Sequence, residues 1–241
     1  MTLPPVSPLL NSLFNLARAK YRAENEAWVQ LSYRLSGRFN LVTASSSIQR
    51  EGDLDILLRF LEDEFNMNKD ASAMEFSFHY QMMFSETWVV TCYEILRAFQ
   101  QRDREAAKAG RPTSGVSELH EFKSILTDLE LLRMPIAKFE IAKDNKLEQP
   151  LPMSLVGDDE TKPIEFYDPK DPSRFHIMPK GVSSRGSAVW LALDVRNSRQ
   201  HWVERRDLAD RLLSLRKLVK SAGDLEAEQN SAAQGLAQAD R

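Results

Sequence analysis

Arg196-Asn197-Ser198-Arg199-Gln200-His201 places an arginine and a histidine with four residues between them. A guanidinium can hold a phosphate while an imidazole moves a proton, which is what phosphodiester cleavage by a 2′-hydroxyl requires. Arginine is abundant here and the chain has 4 His, so such a spacing also arises by chance. Arg196 and His201 are therefore catalytic candidates on one reading and an ordinary turn on the other. A second set lies on one helical line: His79, Glu86 and Arg97 fall within about 20° of one another at about 100° per residue, with Tyr93 and Glu94 beside them. Arg133, next to Pro135, is the cation placed to meet that line. The five residues His79, Glu86, Glu94, Arg97 and Arg133 are expected to form either a ligand pocket or, by preference, a buried network paired across a helix interface. Arg199, Arg206 and Lys217 would share one face of a basic helix that could track phosphates, although the pairs Arg206–Asp210 and Asp207–Arg211 would partly neutralise it.

Other chemistry has less support. The four histidines are scattered at 79, 120, 176 and 201 with no paired-ligand spacing, so no metal site is expected. Asp158-Asp159-Glu160 reads as a solvated acidic run in a proline-bounded loop. No Walker loop, dinucleotide fingerprint or nucleophile elbow is present, and no cofactor is expected. Lys180-Gly181-Val182-Ser183-Ser184-Arg185-Gly186 could wrap an anion through backbone N–H groups, or simply join two strands.

The elements that would position these residues are mostly helices. Ser7-Pro8 is a helix entry, followed by Leu9, Leu10, Leu13, Phe14 and Leu16 at helical spacing, and the pattern continues through Trp28, Leu31, Leu35 and Phe39. Asp53 is placed to cap a third helix carrying Leu54, Leu57, Leu58, Leu61 and Phe65. Residues 72–108 form the longest and most apolar helix, with Ser72 and Glu75 as a capping box and Gly110 as its stop. A further helix begins near Ser117, and Pro135 should end or kink it. Pro150 opens a proline-rich stretch whose short runs, at 164–167, 175–178 and 188–195, predict a small antiparallel sheet of about three strands. Helical spacing returns from Ser198. The predicted fold is mainly α: a multi-helix bundle over 1–149, a small β-rich segment over 150–197, a C-terminal helix packed on the body over 198–222, and a polar, disordered tail over 223–241.

Trp88-Val89-Val90-Thr91-Cys92-Tyr93-Glu94-Ile95-Leu96-Arg97, followed by a helix reaching Leu132-Arg133, resembles the HEPN family across residues 21–146. The resemblance implies a helical, commonly dimeric domain that cleaves RNA or binds nucleotides through Arg, four to six residues, then His. No histidine follows Arg133 at that spacing, which implies a non-catalytic relative. The only match to the spacing is Arg196 to His201, after a predicted strand instead of a helix.

Composition narrows the partners. A net charge of -3 gives no global reason to bind nucleic acid, though it leaves room for a local basic patch. One cysteine rules out an intrachain disulfide and suits a reducing compartment. Residues 1–14 lack the basic start and continuous apolar run of a secretory signal, and no run is long enough to span a membrane. The expectation is a cytoplasmic, non-catalytic interaction or ligand-binding protein that self-associates as a homo-oligomer or engages a protein partner. An RNA-cleaving or RNA-binding protein is the alternative.

Overall fold

A computed structural model of the chain describes residues 6–67, 74–153 and 165–219, with only the backbone described at 74–77 and 165. The Ser72–Glu75 capping box, the acidic run at 158–160 and the tail at 223–241 lie outside the described residues. In chain order the elements are α1 (Val6–Lys20), α2 (Arg22–Arg38), α3 (Ala44–Met67), α4 (Met74–Lys108), α5 (His120–Lys138), β1 (Leu151–Met153), β2 (Glu165–Tyr167), β3 (Lys180–Val182), β4 (Ala188–Asp194), β5 (Arg199–Glu204) and α6 (Arg205–Leu218). The protein is mainly helical, with two small antiparallel sheets, β1-β2 and β3-β4-β5, and a helix after them. None of the described helices is long and apolar enough to cross a membrane.

The long helix α4 sits at the centre because its apolar residues surround most of its axis. Trp88, Val89, Cys92, Leu96 and Phe99 are buried. Gly110 ends it as expected, at φ 65°, with the Arg111 N–H reaching back to the Ala106 carbonyl. One hydrophobic core joins α2, α4 and α5 with Ala188, Trp190 and Ala192 of β4 and Leu208, Leu212 and Leu215 of α6. The three-stranded sheet and α6 are thus built into the same interior as the bundle.

Three boundaries differ from the sequence reading. Asp53 does not cap α3; the helix starts at Ala44 and Asp53 is inside it, its carboxylate taking two hydrogen bonds from Arg18 at 2.9 and 2.8 Å. The earlier start allows Ile48 and Gly52 to face α2, where the backbone of Gly52 lies directly against the Trp28 ring. Pro135 neither ends nor precedes the end of α5 by a break: the missing N–H falls in the last turn, and the helix closes at Phe139 in the left-handed conformation, φ 56°. The helix expected from Ser198 begins at Arg205. Before it, Ser198 at φ 48° turns β4 into β5, and Asp194 pins that turn by accepting from the N–H groups of Arg196 and Asn197 and from Asn197 Nδ2. The run at 175–178 is not a strand, and β3 follows it instead.

Candidate functional site

Charged residues on α3 and α6 set the frame. Asp55, Arg59 and Glu62 recur at helical spacing on the buried side of α3, and Arg205 opens α6 opposite them with no solvent exposure. Arg205 donates to Asp55 and, at 2.5 Å, to Glu62. Arg59 donates to Asp55 at 2.9 Å and to Asp210 at 2.6 Å, and the Trp28 indole N–H gives Asp55 a further bond at 2.8 Å. Burial alone would raise the Asp55 carboxyl, but Arg205, Arg59 and Trp28 outweigh it and hold it below its ordinary value. Such a charge cluster is kept in the interior only because nearly every polar atom in it is bonded. The acids engage Arg205 and Arg206 of α6, so this frame positions elements and presents no open chemistry.

The open chemistry lies on the other side of α4. Arg97, Gln100, Gln101 and Arg104 recur at intervals of three and four and so form one stripe. Antiparallel to it, α5 presents Lys123, Thr127 and Glu130, and Lys143 and Arg196 close the ends. Together with Tyr93 and Leu126 they line a cleft of about 590 Å³, within the range of ligand sites. Five of its side chains are cations and one, Glu130, is a carboxylate, already paired with Lys143. Arg97 pairs with Glu94 at 2.9 Å and Lys123 with Glu118 at 2.6 Å, both at exposed positions. Arg104 and Arg196 have no carboxylate partner among the described residues. The arrangement can hold an anion through several charge-assisted hydrogen bonds.

The line through His79, Glu86 and Arg97 does not form one network. His79 is exposed and stands edge-on to Tyr80. Glu86 pairs with Lys180 of β3 at 2.7 Å, not with Arg133. Arg133 meets Glu94 at 3.2 Å, on the line it was expected to meet, and lies over the Tyr93 ring at 5.5 Å. The residues share a helical face, but α5 and β3 reach it at different heights and divide it. None of the five is buried, so the expected buried pairing is corrected to separate, half-exposed pairs.

Arg196 lines the cleft. His201, five residues on, leaves it: its Nε2 lies 3.3 Å from Asp128, and Nδ1 is enclosed without a partner among the described residues. Arg211 holds Asp128 from the other side at 2.7 Å, and also binds Glu121 and Ser124. Arg199, Arg206 and Lys217 do not share a face, because Arg199 is on β5 and only the other two are on α6. Arg206 points to Glu62 at 3.4 Å. Of the two expected pairs on α6, Asp207–Arg211 forms at 3.6 Å, whereas Asp210 turns to Arg59 and Arg185. Lys180 to Gly186 joins β3 to β4, and Arg185 there is bound to Glu204.

Sequence reasoning missed Gln100, Gln101, Arg104, Lys123 and Lys143. The signal was present: from Arg97 onward the buried positions of α4 thin out and a polar stripe with two arginines, Arg97 and Arg104, a double turn apart runs beside them. It also missed the acidic and basic residues on the apolar side of α3. Among the described residues no group of three or more His, Cys, Asp or Glu could hold a metal ion. Cys92 is enclosed, and burial pushes its thiol well above its ordinary value, which leaves it a packing residue. No family model, curated protein or solved structure matches this chain.

Proposed function

We propose that the protein is a non-catalytic, self-associating ligand-binding protein whose ligand is a phosphate-bearing anion held between α4 and α5. The observation that carries this reading is the cleft with five cations and one carboxylate in a chain whose net charge is negative. A local excess of that kind is an electrostatic footprint for phosphates. Titrating labelled single-stranded RNA and inorganic pyrophosphate into the protein at several salt concentrations tests it. Binding should weaken steeply with salt, and the Arg104→Ala/Arg196→Ala double variant should bind at least about tenfold more weakly. Failure of both probes to bind at low salt, or equal binding by the variant, defeats the reading.

The ribonuclease alternative draws support from Arg196, which lines the cleft. It needs His201 at the same ligand, and His201 is turned to Asp128 instead, which favours holding over cutting. RNA length after incubation reads this directly: RNA that the wild type shortens but that stays intact with His201→Ala protein would replace our reading with the alternative.

Self-association is supported by α1. Val6, Leu9, Leu13 and Leu16 alternate at intervals of three and four, the spacing of a two-stranded helical seam. Val6, Leu9 and Leu16 are 66%, 56% and 61% exposed, while Ala17 and the following Tyr21 fasten the far end of the helix to Ile56. A light-scattering mass of twice the chain, reduced to one chain by Leu9→Glu/Leu16→Glu, is the expected result. A monomeric wild type would remove this part.

A further inference from the structure

A second cavity opens along the same pair of helices, on the other side of the Glu94–Arg133 pair. It measures about 250 Å³ and is lined by Pro135, Ile136 and Phe139 of the end of α5, by Ile177 and Met178, and by Trp190, with Glu86 and Lys180 completing the wall. Exposure separates floor from rim. Trp190, Met178 and Pro135 are buried, whereas Phe139, Ile177, Lys180 and Glu86 reach solvent. Two features set it apart from an incidental groove. The indole N–H of Trp190 is buried without an acceptor among the described residues, and it is the only side-chain donor of the lining besides Lys180. Phe139 keeps a left-handed backbone, costly for an aromatic residue, and its ring is thereby stacked on Phe175 at 4.9 Å at the surface instead of entering the core. His176 donates its N–H to the Phe139 carbonyl at 2.8 Å and locks that lip in place.

At the rim the Lys180 ammonium and the Glu86 carboxylate stand 2.7 Å apart, both partly exposed. An exposed pair of this kind contributes little by itself and exchanges partners readily. A ligand that offers an ammonium and a carboxylate on one carbon could replace each ion with its complement, while its side chain fills the apolar space. A cavity of roughly 150 Å³ lined by aliphatic residues accommodates benzene, so the larger volume here suits a benzyl or isobutyl group and its α-carbon. We propose that this cavity binds a free apolar α-amino acid, with Glu86 receiving the ammonium, Lys180 the carboxylate, and Ile136, Phe139, Ile177 and Met178 the side chain. The site is separate from the basic cleft and does not rest on the anion reading.

Isothermal titration of the full chain with glycine, alanine, valine, leucine, phenylalanine and N-acetylphenylalanine amide tests the assignment. Leucine and phenylalanine should bind, and affinity should rise along glycine, alanine, valine and leucine by about fourfold per buried methylene, the equivalent of about 0.8 kcal/mol. The acetylated amide, which lacks both charges, should bind at least about tenfold more weakly than phenylalanine. Glu86→Gln and Lys180→Gln should each weaken binding, and because both positions are partly exposed the circular dichroism spectrum should stay unchanged. Ile136→Trp, which fills the cavity, should abolish it. Absence of heat with leucine and phenylalanine up to their solubility overturns the proposal. Equal binding of the amide, or binding that survives both charge variants, overturns the amino-acid assignment.

Discussion

Arg205 and Asp55, 150 positions apart in the chain, form an ion pair in which neither side chain has any solvent exposure. Glu62 shares the same guanidinium, and Trp88 lies 5.7 Å beneath it. The pair ties the first residue of α6 to the middle of α3 and thereby fixes where the sheet that precedes α6 must end.

Removing that guanidinium leaves two buried carboxylates with one cation fewer. Arg205→Met should lower unfolding free energy by about 3–5 kcal/mol, read from urea unfolding. Replacing Arg205 together with Asp55, Arg59 and Glu62 by apolar residues of similar size should cost much less. Equal losses in the single and quadruple variants would show that the pairing is not what Arg205 supplies.

Acid should unfold the protein through its depressed carboxyls. Burial raises and the arginines lower Asp55, with a net fall; burial raises Asp103 too, but bonds from Ser114 and Ser117 win and lower it. In both cases the unfolded chain binds more protons, so the stabilisation is present above the ordinary Asp value of about 4 and is lost as pH falls through the lower folded value. Glu51 acts in the opposite sense, since burial, against Arg50, raises its carboxyl. Stability should therefore drop most steeply below about pH 4. Asp103→Asn should make that acid limb shallower, and an unchanged limb would exclude Asp103 as a contributor.

Glu130 is the one carboxylate in the basic cleft and occupies Lys143. Glu130→Ala should tighten RNA or pyrophosphate binding by several-fold and steepen its salt dependence by up to about 0.7 in the log–log slope, one further phosphate contact on a single strand. Weaker binding by this variant would mean that Glu130 contacts the ligand itself.

At Gly52 a built Cβ would stand 2.6 Å from Trp28 Cγ. In an ordinary helix Gly→Ala gains up to about 1 kcal/mol. Here Gly52→Ala should instead destabilise by about 1–3 kcal/mol through overpacking, visible as a lower melting temperature. A higher one would show that Trp28 can move aside without losing its bond to Asp55.

The helices were legible because their apolar residues repeat at helical spacing, as at Trp88, Cys92, Leu96 and Phe99. So was the presence of an antiparallel sheet among the prolines. The β5 strand was not: Arg199 to Glu204 alternates a buried Val203 with exposed neighbours, but its hairpin depends on Ser198 adopting a positive φ and on Asp194 gripping the turn. From sequence Arg133 could be matched to the polar line of α4 as a partner of Glu86 or Glu94, and the structure pairs it with Glu94. Glu86 could not be matched with Lys180, since only the register of β3 on β4, with Lys180 opposite Trp190, brings that lysine to α4. Asp55, Arg59 and Glu62 went unnoticed for a related reason. Charge on an apolar helix reads as its wet edge until the partner helix is known.

The position of Arg205 in the chain has a bearing on synthesis. A nascent polypeptide that has emerged only as far as β4 already contains α3, with Asp55 and Glu62 facing inward, but lacks the cation that satisfies both. Arg59 and Trp28 already reach Asp55 from the earlier helices, but Arg205 joins Asp55 to Glu62 only once α6 has been made. Completion of the core is thereby tied to arrival of α6, and a fragment stopped before it would expose the apolar surfaces of Trp88 and Leu58 to whatever chaperone or protease is at hand.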